Sequence, residues 1–406
     1  MPHPVLRVAI GGQGRSGYSI HAQWLRQIPQ KYRIVAVADA LPERREDASR
    51  EFGARTYADW SDLLADDGFD LFVNALPTPF HVPATLAALE AGKHVLCEKP
   101  MADRLENFDR MVDAAHRNGL VLSPFQNNRP QPFFEKMQEI LASGVIGKIV
   151  YIRSTWGNFA RRWDWQTLQK NMGGGLRNTG PHAIDQALAL FGYDRTPHVF
   201  CRMDCNNPFG GDADDHCTVT LYDPERIAPQ IDILVSGYMA YPQGDMYTVY
   251  GTYGGLSGGF DTLRWKYFDP LRAPKQEMWG WSVDQQYPQE ELPWEERTWS
   301  LTEEQNRPAS GYTLRSLQSG PEKIYENLSG ATTTQLGHNR SRHAPRSPTP
   351  RCGGIGKRNN PWSPAPPAAE NSFRKSHRPG FPRGNAPAYP DRRPENPPSD
   401  GNPPRG

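Results

Sequence analysis

The sequence predicts an α/β chain in three parts: a doubly wound parallel sheet over residues 1–123, an α+β domain with a large, mostly antiparallel open sheet over 124–330, and a tail over 331–406. Three observations predict it. Up to about Ser123, short apolar β-rich runs alternate with stretches of helical periodicity, and alternation of that kind implies a parallel sheet covered on both faces. From Pro197 to Leu301 the apolar runs are mainly strand-like: "CTVTLY", "QIDILVSGYM", "MYTVYGTYGG" and "LRWKYF". After residue 330 the apolar periodicity ends, and this stretch holds 16 of the 39 prolines.

The elements follow in order. Val5 to Ile10 is an apolar strand, and Ile20, Trp24, Leu25 and Ile28 after it recur at helical spacing. Tyr32 to Ala40 is a second strand, ending in Asp39, and Pro42 suits the first turn of a helix reaching Phe52. Phe69 to Leu76 is a strand, His81 to Ala91 a helix closed by Gly92, His94 to Cys97 a strand, Arg104 to Asn118 a helix closed by Gly119, and Val121 to Phe125 a strand. In the second part, Phe133 to Ser143 and Gly180 to Gly192 read as helices and Lys148 to Trp156 as a strand. No internal repeat is present.

Charge and cysteine content narrow the function classes. The formal net charge of +1 offers no polyanion surface, although the tail from Ala331 carries a net +9 (13 Lys/Arg against 4 Asp/Glu), leaving −8 on the rest. The tail lacks interleaved aromatics, so nucleic acid is not an expected partner. Cys97, Cys201, Cys205, Cys217 and Cys352 are odd in number and read as free thiols, with no trustworthy zinc spacing and no metal expected. No apolar run reaches membrane-spanning length, and Met1-Pro-His-Pro lacks the basic start of a secretory signal. The expected location is the cytoplasm, with no membrane partner.

Gly12, Gly14 and Gly17 form G-x-G-x-x-G between the first strand and the first helix, and Asp39 closes the next strand 22 residues after Gly17. A tight glycine turn lets a pyrophosphate approach the backbone at a helix N-terminus, here beside Arg15 and Ser16, and an acid at the second strand end accepts from ribose hydroxyls. The expectation is a Rossmann dinucleotide site, with NAD favoured over NADP because Asp39 repels a 2′-phosphate. Arg44 and Arg45, close behind, count the other way and keep NADP open.

The chain resembles the glucose–fructose oxidoreductase / inositol dehydrogenase (Gfo/Idh/MocA-type) family of NAD(P)-dependent enzymes. The resemblance is carried, in order, by the glycine turn, "VADALPER", "NALPTPFH", "GKHVLCEKP", "FQNNRPQP", "GVIGKIVYIRSTW" and "GGGLRNTGPHAIDQAL", over about residues 5–330. It implies an N-terminal NAD(P)-binding domain, a C-terminal domain for substrate binding and oligomerisation through its open sheet, and homodimers or homotetramers. It implies that Lys99 of "EKP" sits between nicotinamide and substrate, that Glu98 contacts the nicotinamide ribose, and that His182 is the acid/base. The chemistry suits the residues: an ammonium stabilises negative charge growing on a substrate oxygen, and an imidazole takes a proton near neutrality. The family commonly has an aspartate where this chain has Asn178, and an amide cannot take a proton; Asn178 is expected to position the substrate or His182.

The remaining candidates are Thr78, His81 and Gln126 toward the nicotinamide, with Gln126 also open to substrate and His81 also readable as a helix-start residue. Asn127, Arg161, Trp163 and Asp164 are candidates toward a sugar, polyol or sugar acid. The function expected is hydride transfer between a secondary alcohol and nicotinamide; the alternative is an NAD-binding regulator or scaffold of the same fold without turnover. "EKIYENL", Glu322 to Leu328, resembles the start of the family's closing segment. The tail beyond it reads on composition as a disordered extension, or as the product of a reading-frame shift near Leu328 to Ala331.

Overall fold

The structure, a computed structural model, describes residues 5–241, 244–278 and 287–302. The tail, Cys352 and Glu322 to Leu328 lie outside the described residues. Within them the expected fold class is present: a parallel sheet first, a mixed and mostly antiparallel sheet second.

The first sheet has six parallel strands: β1 (Leu6–Gly11), β2 (Tyr32–Ala38), β3 (Arg55–Tyr57), β4 (Leu71–Asn74), β5 (His94–Cys97) and β6 (Leu122–Pro124), in the order β3-β2-β1-β4-β5-β6. Its last strand ends one residue past the expected boundary at 123. The helices are α1 (Arg15–Ala22, wound wide in π fashion and continuing through Gln23–Leu25), α2 (Pro42–Phe52), α3 (Trp60–Leu64), α4 (His81–Glu90) and α5 (Leu105–Arg117). The sequence reading lacks β3 and α3, which at 3 and 5 residues are too short to show a period.

Both faces of this sheet are buried, which is why its strands read as continuous apolar runs. Ala9, Phe72, Val95 and Cys97 face Ala84, Leu89 and Met111 in one layer; Val8, Ile10, Val73 and Leu96 face Ile20, Trp24 and Ala48 in the other. The strand order turns back between β1 and β4, so their C-terminal ends open a crevice, where ligands bind in sheets of this kind.

The second sheet has eight strands: β7 (Ile149–Gly157), β8 (His198–Asp204), β9 (His216–Tyr222), β10 (Gln230–Ser236), β11 (Tyr247–Gly251), β12 (Gly254–Gly258), β13 (Thr262–Tyr267) and β14 (Glu295–Ser300), in the order β14-β13-β12-β11-β7-β10-β9-β8. Only β7 and β10 pair in parallel. Helices α6 (Pro132–Ala142) and α8 (Gly180–Phe191) pack on one face, burying Phe133, Met137, Ala183 and Phe191 against Ile152, Ile231 and Val249. The short helix α7 (Gly175–Asn178) leads into α8.

Two contacts fix α8 to the loop after β6, and a third ties it to β11. Arg129 makes a forked ion pair with Asp185, Gln186 Nε2 donates to the Asn128 carbonyl, and the buried Tyr247 hydroxyl donates to Gln186 Oε1 at 2.7 Å. The N-terminal turn of α8, with His182, is therefore held against the end of the parallel sheet.

Candidate functional site

A cavity of about 630 Å³ runs from Gly12, Gly14 and Asp39 to Lys99, Asn178 and His182. The three glycines of the turn do different work. Gly12 has φ +88°, and a Cβ there would lie 2.5 Å from the Ala75 carbonyl oxygen; a Cβ on Gly17 would lie 1.7 Å from the Gly12 oxygen. Both are imposed by the protein's own backbone. A Cβ on Gly14 would meet only Arg44 Nη1, at 3.7 Å. That face is open, with Arg15 and Ser16 beside it at the start of α1.

Asp39 is buried just past β2. Its Oδ2 accepts from the Gln13 amide at 2.7 Å and its Oδ1 from the Leu41 amide at 2.9 Å. Arg44 Nη1 also donates to Oδ2, at 3.3 Å. One carboxylate thus braces the glycine turn and lines the cavity. An open turn at a helix N-terminus with an acid at the next strand end fits a dinucleotide.

At the other end, Lys99 Nζ donates to the Asn178 carbonyl at 2.8 Å and to Asn178 Oδ1 at 3.3 Å. Burial lowers the Lys99 pKa from its ordinary value; Glu98 opposes this, and Arg15 and Arg162 add to it. Burial works against a charged Glu98, but the hydrogen bond and charge of His21, then Lys99, hold its pKa down at about 2. His21 Nε2 lies 3.1 Å from Glu98 Oε1, with Phe125 against its ring. His182 is pushed down to about 3, by burial first and Lys99 second.

The expected site residues do not all enter the cavity. Gly12, Gly14, Arg15, Ser16, Asp39, Thr78, His81, Glu98, Lys99, Asn127, Asp164, Asn178 and His182 line it. Gly17 lies behind the turn as packing. His81 is buried with Nδ1 2.7 Å from the Pro100 carbonyl and Nε2 2.9 Å from the Leu76 carbonyl. Burial lowers its pKa, and the ring ties the Lys99 loop to the end of β4. Gln126 is outside the lining; its amide is engaged by Pro181 and His182.

In the loop after β7 the register differs from expectation. Arg161 lies over the Phe209 ring and Trp163 is 76% exposed. The residues that reach the cavity are Arg162, Asp164, Trp165 and Gln166. Arg162 forks onto Asp164, with both bonds at 2.8 Å, and reaches Gln166 Oε1 at 2.6 Å.

Sequence reasoning missed His21, and it read Arg162 only as one of two arginines in the loop from Arg161 to Gln166. The one trace of His21 is its place on the buried side of α1, three and four residues before Trp24 and Leu25. The loop itself is marked by its two arginines, aspartate and tryptophans, but a loop without a period does not reveal which of two adjacent arginines turns inward.

Two family models match the chain: the "oxidoreductase family, NAD-binding Rossmann fold" over residues 6–126 and the "GFO/IDH/MocA C-terminal domain" over residues 134–257. The chain belongs to the GFO/IDH/MocA oxidoreductase family. It therefore has an NAD(P)-binding oxidoreductase fold.

Among family relatives, an uncharacterized oxidoreductase of Schizosaccharomyces pombe is 31% identical over 197 residues, 48% of this chain and 53% of that protein. The scyllo-inositol 2-dehydrogenase (NADP(+)) of Bacillus subtilis is 26% identical over 292 residues, 70% of this chain and 76% of that one. The solved WlbA dehydrogenase of Bordetella pertussis, in complex with NADH and UDP-GlcNAcA, superimposes with a TM-score of 0.55 at 26% identity, covering 62% of this chain and 77% of that chain. The chain spans only 53% and 62% of the length of two Schizosaccharomyces pombe relatives.

Among the described residues no helix is long and apolar enough to cross a membrane, and no cluster of three or more His, Cys, Asp or Glu could hold a metal.

Proposed function

We propose that this family member is an NAD-dependent dehydrogenase acting on a secondary alcohol of a sugar, polyol or sugar acid. One observation carries the reading: Lys99 from the first domain meets Asn178, with His182 beside them, at the far end of the cavity that begins at the open glycine turn. When bound, the nicotinamide supplies the hydride acceptor, or the donor in reverse.

The chain's own residues handle the oxygen and the proton. Two donors of the Lys99 ammonium are engaged by Asn178, and among the described residues no hydrogen bond takes the third, which can meet the substrate oxygen. There it stabilises the negative charge that grows as the alcohol becomes a carbonyl. His182, whose pKa burial and Lys99 hold down, is uncharged and is placed to take the hydroxyl proton as the hydride leaves, although the same depression makes it a weaker base than a free imidazole. Asn178, whose oxygen faces Lys99, keeps its amide N–H groups for the same substrate oxygen. Glu98 offsets the lysine's charge.

With the Arg162 fork closed on Asp164 and Gln166, these residues and Trp165 form a braced polar and aromatic wall of the cavity, of the kind that recognises sugar hydroxyls. Relatives named for scyllo-inositol and levoglucosan oxidation agree with that class. The buried Asp39 carboxylate supports NAD as the cofactor.

The reading is tested by following reduced nicotinamide during incubation with sugars, polyols and sugar acids. Turnover that needs both NAD and a secondary alcohol supports it; saturable NAD binding with no turnover across such a panel opposes it.

A further inference from the structure

The Gln126 side chain sits between two groups that leave it one orientation. On one side is the Pro181 carbonyl oxygen, 3.2 Å from Gln126 Nε2. A carbonyl only accepts, so the amide must turn its N–H to it. The amide oxygen is then on the other side, 3.2 Å from His182 Nδ1. An oxygen acceptor calls for a proton on that ring nitrogen, and a neutral imidazole has only one to give.

Gln126 is itself held in place. Its backbone N–H donates to the Pro124 carbonyl at 3.2 Å and its backbone carbonyl accepts from the Arg129 backbone N–H at 3.1 Å. The Arg129–Asp185 pair clamps the same loop to α8, and the His182 amide donates to the Thr179 carbonyl at 3.1 Å. Both partners are fixed by their own backbones before their side chains meet.

We propose that Gln126 is a positioning residue that fixes the tautomer of His182, with the proton on Nδ1 and the lone pair of Nε2 turned to the cavity. A histidine in water prefers the opposite tautomer, with the proton on Nε2, so this one has to be imposed. Without it His182 would present an N–H to the substrate hydroxyl and could not accept its proton. The charged groups facing the ring are Lys99 and Glu98; neither hydrogen-bonds it among the described residues, so the tautomer rests on Gln126. The role rests on the dehydrogenase reading, but the tautomer does not.

The test is the ring nitrogen shifts of His182 in ¹⁵N-labelled full-length protein at neutral pH, assigned by their loss in His182→Asn. The wild type should show a protonated Nδ1 and a bare Nε2. Gln126→Leu should move the proton toward Nε2, and Gln126→Glu should return it to Nδ1. With a substrate in hand, Gln126→Leu should lower kcat by roughly 100-fold with KM nearly unchanged. Gln126→Glu should recover much of that rate and move the acid limb of the pH profile upward, since a carboxylate favours the imidazolium. A bare Nδ1 in the wild type overturns the proposal and requires no variant to fold. So does an unmoved proton in folded Gln126→Leu. Absence of turnover with every substrate would count against the dehydrogenase reading while leaving the tautomer result intact.

Discussion

Lys99 and Asn178 are 79 residues apart in sequence, yet the lysine ammonium lies 2.8 Å from the asparagine carbonyl oxygen. The contact joins the end of a strand in the first sheet to the short helix before α8 in the second domain. One of its two bonds is to backbone, so it survives changes of the Asn178 side chain; the other, to Oδ1 at 3.3 Å, does not.

That separation makes Asn178→Asp informative. The Lys99 pKa is lowered by burial and by Arg15 and Arg162. A carboxylate in place of Oδ1 favours the ammonium and raises it. The basic limb of kcat/KM should move to higher pH, while the thermal midpoint at neutral pH stays close to wild type. An unmoved limb would mean that Lys99 is not the group titrating there.

Two glycines of one turn should fail in opposite ways. Gly17→Ala puts a methyl 1.7 Å from the Gly12 carbonyl oxygen. It should cost at least about 2 kcal/mol of stability without any ligand present. Gly14→Ala meets only the end of Arg44, at 3.7 Å, so the unliganded protein should melt near wild type while NAD binding weakens by tenfold or more, about 1.4 kcal/mol. Thermal melts with and without NAD separate the two.

The proposed preference for NAD rests on the Asp39 carboxylate, with Arg44 beside it at 3.3 Å. Asp39→Asn keeps an oxygen for the Leu41 amide but loses the Oδ2 acceptor of the Gln13 amide and the charge that repels a 2′-phosphate, and it leaves Arg44 without an anionic partner there. NAD should bind roughly tenfold more weakly and NADP more tightly. Adding Arg44→Ala should remove the NADP gain. Fluorescence titration of both cofactors checks this.

Acid should destabilise the fold, and His182, together with the likewise lowered His81 and His94, sets where it begins. The unfolded chain takes a proton on His182 below about 6.5, whereas the folded protein refuses it until about 3. Stability therefore falls as pH drops from 6.5, by up to about 1.4 kcal/mol per unit from this group. Glu98 adds a second loss of the same sign between its ordinary 4.5 and its folded value of about 2. Thermal midpoints across pH 7 to 4 should decline, and His182→Asn should lessen the first part of the slope.

The parts legible in the sequence are those that repeat or that chemistry fixes locally. The runs around Val8, Val73 and Leu96 mark buried parallel strands, and the glycines with Asp39 mark the turn and the strand end beyond it. Lys99 and His182 are nameable through motifs, and both reach the cavity. What escaped depends on tertiary placement. His21 faces Glu98 only because α1 packs across the strand ends. Gln126 stands at the end of a strand, where a side chain can serve a cofactor or a neighbour, and only the position of α8 decides for His182. Arg162 takes the place expected of Arg161 because the irregular loop after β7 turns it inward.

The most direct measurement pairs NAD binding with turnover in the wild type and in Lys99→Ala. NAD affinity is read by fluorescence titration, and reduced nicotinamide is followed over a panel of sugars, polyols and sugar acids. If this chain is a dehydrogenase using Lys99, the wild type turns over at least one of them. Lys99→Ala then binds NAD within about twofold of wild type and loses roughly 100- to 1,000-fold in kcat/KM. Turnover undiminished in Lys99→Ala would contradict the role given to Lys99. NAD binding without turnover of any alcohol in the wild type would contradict the enzyme itself.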